Sequence, residues 1–444
     1  MNTTTLNAER TETSMSPADT KNKARAPGTW VLSLYFLQGL PFFMVNLVSA
    51  LMFKSLGVSN EDITRWTGLL GLAWVFKPLW SPLLELAPSK KWMVISFQAL
   101  GAAALGLIAL SLNLPSFFVI CIALLAVAAI ASASHDIVCD GLYIATLSGK
   151  QRAVWAGWLG TCFNGSKLFA MGGLVILAGT LEKSAGPVVA WATVFGIAAV
   201  TMAVLAAYHV WALPDTRSSV EAGGSIEVAG TLGDVIRSFF KLEGVWVAIA
   251  FIILFRAGEA QVQAMGPLFM KDARELGGLG MATTEVGLSY GTAGTLAFLA
   301  GSIASGYFTA WLGLRRAMIW LLLAMNLPNL AFYALALSQT TNLWWISLAV
   351  SLETFGYGFG FVAVILFMMQ FVAKSKYQTA HYAIATGFMA LGYVIFKAIS
   401  GDVQKLLGYQ HFFLWVVLSA IPVFLMLKVL PIREDEAAEP KHEA

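Results

Sequence analysis

The sequence predicts an all-α integral membrane protein with twelve spanning helices in two six-helix halves. Three observations carry that prediction. Of 444 residues, 58% are hydrophobic and only 12% are charged, about half the charge of a typical soluble domain. The apolar residues gather in runs of about twenty or more, the length that crosses a bilayer as a helix. One polar segment, 213–244, divides these runs six and six. The runs are too long and continuous for a β-barrel, whose strands alternate over about ten residues.

Taken in order, helices are expected at 29–53, 63–86, 91–112, 116–146, 150–180, 187–211, 245–268, 285–309, 315–337, 343–372, 377–400 and 409–430. Charge, glycine, proline or a short polar stretch punctuates them. Lys54 and Gly57 end the first, and Pro88 to Lys91 the second. Asn113 to Pro115 separates the third from the fourth, and Gly149-Lys150 opens the fifth. Glu182 to Pro187 precedes the sixth, Gly244 precedes the seventh, and Lys271-Asp272 closes it. Gly313 to Arg316 turns the eighth into the ninth, Ser338 to Asn342 the ninth into the tenth, Lys374 to Lys376 the tenth into the eleventh, and Asp402 to Gly408 the eleventh into the twelfth.

The expected organisation is a tail at 1–28, a six-helix half at 29–211, a linker at 212–244, a second half at 245–430 and a tail at 431–444. The first tail carries Glu9, Glu12 and Asp19 and lacks the charged-then-apolar start of a signal peptide, so it is expected to be disordered and cytoplasmic. Lysines and arginines fix the orientation. Eighteen fall on the side of both tails and six on the other, so both termini are expected in the cytoplasm. The net charge of +3 is small and gives no reason to expect a nucleic-acid partner. Cys121, Cys139 and Cys162 lie in apolar runs with neither disulfide nor metal spacing.

Six helices, a polar linker and six more is the layout of the major facilitator fold, whose halves are repeats around a central cavity. Gly301 and Gly306 followed by Arg315-Arg316 resemble that superfamily's helix 2–3 loop signature, and Lys90-Lys91 marks its counterpart in the first half. These four basic residues are the expected cytoplasmic gating positions. A narrower resemblance rests on Gln38-Gly39-Leu40-Pro41, Phe76-Lys77-Pro78-Leu79-Trp80-Ser81-Pro82, His135-Asp136-Ile137-Val138-Cys139-Asp140, Gly266-Pro267-Leu268-Phe269, Glu353-Thr354-Phe355-Gly356 and Thr379-Ala380-His381-Tyr382. This set, spanning about 33–430, resembles the anhydromuropeptide permeases of AmpG type within the peptide–acetyl-CoA–drug transporter group. His135 stands where that pattern has glutamine, Lys167 where it has arginine and Glu85 where it has aspartate. The resemblance implies proton-driven import across the inner membrane of an N-acetylglucosamine–anhydro-N-acetylmuramic acid unit, with or without peptide. Carriers of siderophores or other organic conjugates in the same group are the second reading.

Charges inside apolar runs cost about 2.5–3.5 kcal/mol on insertion scales, so they persist where they are paired or face water. Asp136 and Asp140 share one helix face and suit proton uptake, against the plainer reading of an interfacial salt bridge to Lys150 or Arg152. Arg256 and Glu259, three apart, are placed to pair within one helix; Glu259 is a proton-coupling candidate and Gln263 extends its polar face. Glu353, beside Tyr357 and the glycines 356, 358 and 360, is the further proton carrier. Lys77 and Lys167 are candidate carboxylate binders, against pairing with Glu85 or Asp136, and Lys397, nearer the outer end of its helix, is either a further such residue or a snorkelling lysine. Gln38 and Asn46 are candidates to bond sugar hydroxyls or acetamides, and Trp74, Trp158 and Tyr357 to stack on sugar faces, against the plainer reading of most such aromatics as interfacial anchors or packing. His135 and His381 have no second ligand at metal spacing, so neither a metal nor a cofactor is expected, and no nucleophile–base cluster suggests an enzyme. The expected partners are an anionic small molecule, protons and the bilayer, with the protein acting as a monomer. A ligand-binding sensor on the same fold remains open.

Overall fold

The computed structural model describes residues 26–85, 89–215, 233–373, 375 and 377–431, all but a few of them in helices or the turns between them. The expected tails and most of the expected linker lie outside these residues. Nine helices among the described residues are long and apolar enough to cross a membrane. Two of them, Gly157–Ala212 and Ala380–Met426, run 56 and 47 residues, far beyond the ~20 that one crossing needs. Each contains a glycine in left-handed conformation, Gly186 (φ 80°) and Gly408 (φ 69°), where the chain turns back, a backbone state glycine adopts without a Cβ penalty. A further crossing, Asn60 to Glu85, is broken in the middle. Read as two crossings in each long run and one here, these helices are compatible with a twelve-crossing layout.

In chain order the elements are α1 (Val31–Phe43), α2 (Ser49–Ser55), α3 (Asn60–Leu69), α4 (Leu72–Glu85), α5 (Lys90–Ser111), α6 (Phe117–Thr146), α7 (Gly149–Lys167), α8 (Val175–Ala212), α9 (Val245–Phe255), α10 (Ala257–Lys271), α11 (Thr283–Val286), α12 (Gly294–Leu312), α13 (Leu314–Asn326), α14 (Leu330–Ser338), α15 (Leu343–Val372), α16 (Gln378–Leu418) and α17 (Ile421–Met426). Local chemistry sets several starts. The Ser59 hydroxyl accepts the Asp62 N–H at 3.2 Å to cap α3, whose first turn carries Glu61 and Asp62 toward the helix dipole. Ser148 and Gln151 form a reciprocal capping box on α7.

Three π-helical segments, Met44–Val48, Leu168–Leu174 and Gly287–Ala293, interrupt the first, fifth and eighth crossings. Such widened turns concentrate at functional sites. The last two pack on each other across the two halves, and α16 packs on α3 and α4. These contacts join the halves. Close backbone approach makes them possible: a Cβ on Gly291 would lie 2.0 Å from the Met171 carbonyl oxygen. Within the halves, α5 packs on α6 and α8, and α12 and α13 pack on α15.

Candidate functional site

The halves enclose a cavity of about 380 Å³ whose wall includes Asn46, Lys77, Lys167, Arg256, Gln263 and Tyr357, with aromatic rings between them. That volume falls within the ~300–1,000 Å³ of small-molecule sites. A larger groove of about 490 Å³ between α5 and α8 is lined by alanine, isoleucine and valine alone and offers no polar group.

The C-terminal wall is built on a broken helix. The seventh crossing ends its first piece at Phe255 and restarts at Ala257, with Arg256 between them at φ −84°, ψ −3°. Glu259 therefore sits in the first turn of α10, where the helix dipole favours a carboxylate. Arg256 Nε lies 3.0 Å from Glu259 Oε2, and both side chains are buried. The guanidinium also rests over the rings of Phe361 at 5.2 Å and Tyr393 at 4.8 Å, a favourable cation–π geometry. Glu353 is buried within electrostatic reach of Glu259 and Lys167, and its Oε2 has no hydrogen-bond partner. Lys167, also buried, lies 5.1 Å from the Phe298 ring centre. The Tyr357 ring packs tilted against Phe298 and edge-on against Phe361.

The N-terminal wall is wetter. Lys77 on α4 forms an ion pair with Asp136 on α6, and Gln38 on α1 donates to the same carboxylate. Their side chains remain 29% and 21% exposed, against 9% and 1% for Arg256 and Glu259. Asp140, one turn on and exposed, accepts the Tyr35 hydroxyl at 2.9 Å. Asp140 thus marks the more exposed end of this wall.

The opposite end is shut. Every ion pair between the halves among the described residues lies there: Lys54 with Asp272, Arg65 with Asp402 at 2.6 Å, Lys405 with Glu61 at 2.6 Å, and Lys271 with Glu182 at 3.4 Å. Asn60 ties the seam further, donating to Asp272 at 2.8 Å and to the Tyr409 hydroxyl at 3.0 Å.

The structure corrects several expectations. Gln38 is buried against Asp136 and does not line the cavity. Asp136 pairs with Lys77, not with Lys150 or Arg152, because α4 packs directly on α6. Lys397 does not snorkel: it is 2% exposed and inside the seam. Trp158 is exposed and outside the cavity wall, whereas Trp74 lines it. Asn46 keeps its amide bonded to the Phe42 carbonyl at 3.0 Å while facing the cavity. Lys90, Lys91, Arg315 and Arg316 lie at helix starts, where they were expected. Phe298, Phe361 and Tyr393 went unnamed in the sequence, where nothing separates them from packing aromatics; Tyr393, four before Lys397, carried the one usable spacing.

Residues 31–401 match the Major Facilitator Superfamily. The chain is 25% identical over 416 residues to the anhydromuropeptide permease of Escherichia coli strain K12, covering 90% of this chain and 78% of that one. In fold it is similar to a bacterial homolog of the human lysosomal transporter Spinster in an inward-facing, unoccupied conformation, with TM-score 0.70 at 13% identity over 90% of this chain and 96% of that one. It is similar also to the D-xylose–proton symporter, with TM-score 0.67 at 11% identity over 91% and 97%. Two helical halves around a polar cavity, and a family match over most of the length, place the chain in the Major Facilitator Superfamily, as a multi-pass membrane transporter of small molecules and not an enzyme.

Proposed function

We propose that this transporter imports peptidoglycan-derived amino-sugar fragments, N-acetylglucosamine–anhydro-N-acetylmuramic acid with or without peptide, across the bacterial inner membrane by proton symport and alternating access. The observation that carries this reading is three cations, Lys77, Lys167 and Arg256, set among amides and aromatic rings around one cavity. A muramyl unit brings a lactyl carboxylate for the cations, acetamides for Asn46 and Gln263, and sugar faces for Trp74 and Tyr357. Likeness to the anhydromuropeptide permease supports the same substrate class.

In this reading the ion-paired seam is the outer gate, both termini are cytoplasmic, and the conformation faces inward. Lys90, Lys91, Arg315 and Arg316 close the cytoplasmic side in the opposite state, and the protein works as a monomer. Glu259 and Arg256 couple the two gradients. A proton on Glu259 frees Arg256 for the substrate's carboxylate; loss of both returns Arg256 to Glu259. Glu353 is the neighbouring proton station, and Asp136 and Asp140 line the proton's exit toward the cytoplasm.

Equilibrium binding of the labelled disaccharide to purified protein tests the substrate. Binding is expected to saturate and to weaken about ten- to a hundredfold in Lys167→Gln, the loss of one charged contact. A folded protein with no saturable binding contradicts the reading.

A further inference from the structure

Lys397 is a buried cation that the central site leaves unused. It is 2% exposed and lies four residues after Tyr393, so the two side chains share a face of α16. Its Nζ donates to the main-chain oxygen of Asn46 at 2.8 Å and sits 5.6 Å from the Tyr393 ring centre. Among the described residues no carboxylate acts on it. An ammonium shut away from water without an anion is costly. Methionine would fill the same space without that cost.

The surroundings indicate where an anion would reach it. Lys397 lines a residual gap of about 10 Å³ in the seam, together with Asn46, Ala50, Thr64, Thr67 and Gln263. Asn46 and Gln263 also line the central cavity, so the gap adjoins it. Around it the seam is sealed by backbone: a Cβ on Gly68 would meet Ala398 at 3.0 Å, and the Gly401 N–H donates to the Thr64 hydroxyl at 3.1 Å. On the cavity side the Tyr393 ring also carries Arg256. Lys397, Tyr393 and Arg256 form a cation–aromatic–cation series running from the seam into the cavity.

We propose that Lys397 is an anion-binding residue on the path between the seam and the cavity. It takes the substrate's carboxylate when the seam opens and returns to the Asn46 carbonyl when it closes. The carbonyl belongs to the first crossing and Lys397 to the eleventh, so parting the halves removes the stand-in and leaves the ammonium for an incoming carboxylate. Closure then requires that carboxylate to move on toward Arg256. The choice of a carboxylate-bearing sugar rests on the import reading; the anion site itself does not.

Two measurements test this. In protein with Cys121, Cys139 and Cys162 replaced by alanine, Ala50→Cys is treated in right-side-out vesicles with an anionic (sulfonatoethyl) and a cationic (trimethylammonioethyl) methanethiosulfonate. The anionic reagent is expected to react faster, and Lys397→Met to shift the rate ratio about tenfold toward the cation while Lys397→Arg keeps it. An unchanged ratio in Lys397→Met, or no labelling from outside, overturns the proposal whatever the substrate. In proteoliposomes, Lys397→Met is expected to raise KM about tenfold for the disaccharide acid and to leave that of its lactyl carboxamide unchanged. Equal loss for both compounds marks a structural lysine and also overturns it. Should wild type take up neither compound while the reagent ratio still depends on Lys397, the muropeptide reading fails and the anion site stands.

Discussion

The pair that defines each half of the cavity differs in how it is held. Arg256 and Glu259 are three apart, and their pairing was legible because side chains at that spacing are neighbours in helical backbone. Lys77 and Asp136 are 59 positions apart, so the sequence offered Lys77 two carboxylates and Asp136 two other cations without choosing. The packing of α4 on α6 makes the choice. Asp136→Asn is therefore expected to leave the Lys77 ammonium unpaired in a half-buried setting, lowering stability by about 1–3 kcal/mol. Lys77→Gln with Asp136→Asn should recover part of that loss, read as thermal midpoints of the purified protein. Strictly additive losses would show that the two side chains do not act together. The sequence left Lys397 between two readings for a plainer reason: its partner is a main-chain carbonyl, and no side-chain pattern announces one.

At the scale of elements, the existence and rough bounds of the helices were legible, because twenty apolar residues in a row leave few alternatives. Their breaks were not. The ninth crossing breaks at Leu327–Asn329, where Pro328 gives a signal. The second breaks at Leu70-Gly71 and the seventh at Arg256 without any proline at the break. At Gly71 the tertiary reason is visible, since a Cβ there would lie 2.6 Å from Val394. Glycine contacts also separate working helices from bystanders. Gly291→Ala would drive a methyl into the Met171 carbonyl and is expected to cost about 1–3 kcal/mol. Gly306→Ala, with nothing within 4 Å, should be neutral or stabilise by up to about 1 kcal/mol. Thermal unfolding of the two variants side by side checks this; equal midpoints would contradict tight packing between the two π segments.

For the whole molecule, the all-helical membrane fold was readable from composition and run length, and the family match over residues 31–401 agrees with it. Which end is shut was not readable, because ion pairs such as Arg65 with Asp402 join residues 337 positions apart. That seam predicts a conformational lock. Arg65→Cys with Asp402→Cys, bridged through two disulfides by a short bis-methanethiosulfonate, is expected to stop uptake, and a thiol reductant to restore it. Full uptake by the bridged protein would mean that the seam does not open during transport.

The most direct single measurement is uptake of labelled N-acetylglucosamine–anhydro-N-acetylmuramic acid into proteoliposomes, with and without an inward proton gradient, beside Glu259→Gln. The expected result is gradient-driven accumulation by the wild type. The Glu259→Gln variant should lose accumulation and still exchange labelled for unlabelled substrate at equal pH, because only the coupling carboxylate has gone. Accumulation that ignores the gradient, or a Glu259→Gln variant that accumulates as well as the wild type, would contradict coupling through the Arg256–Glu259 pair. No uptake by folded wild-type protein would contradict the substrate itself.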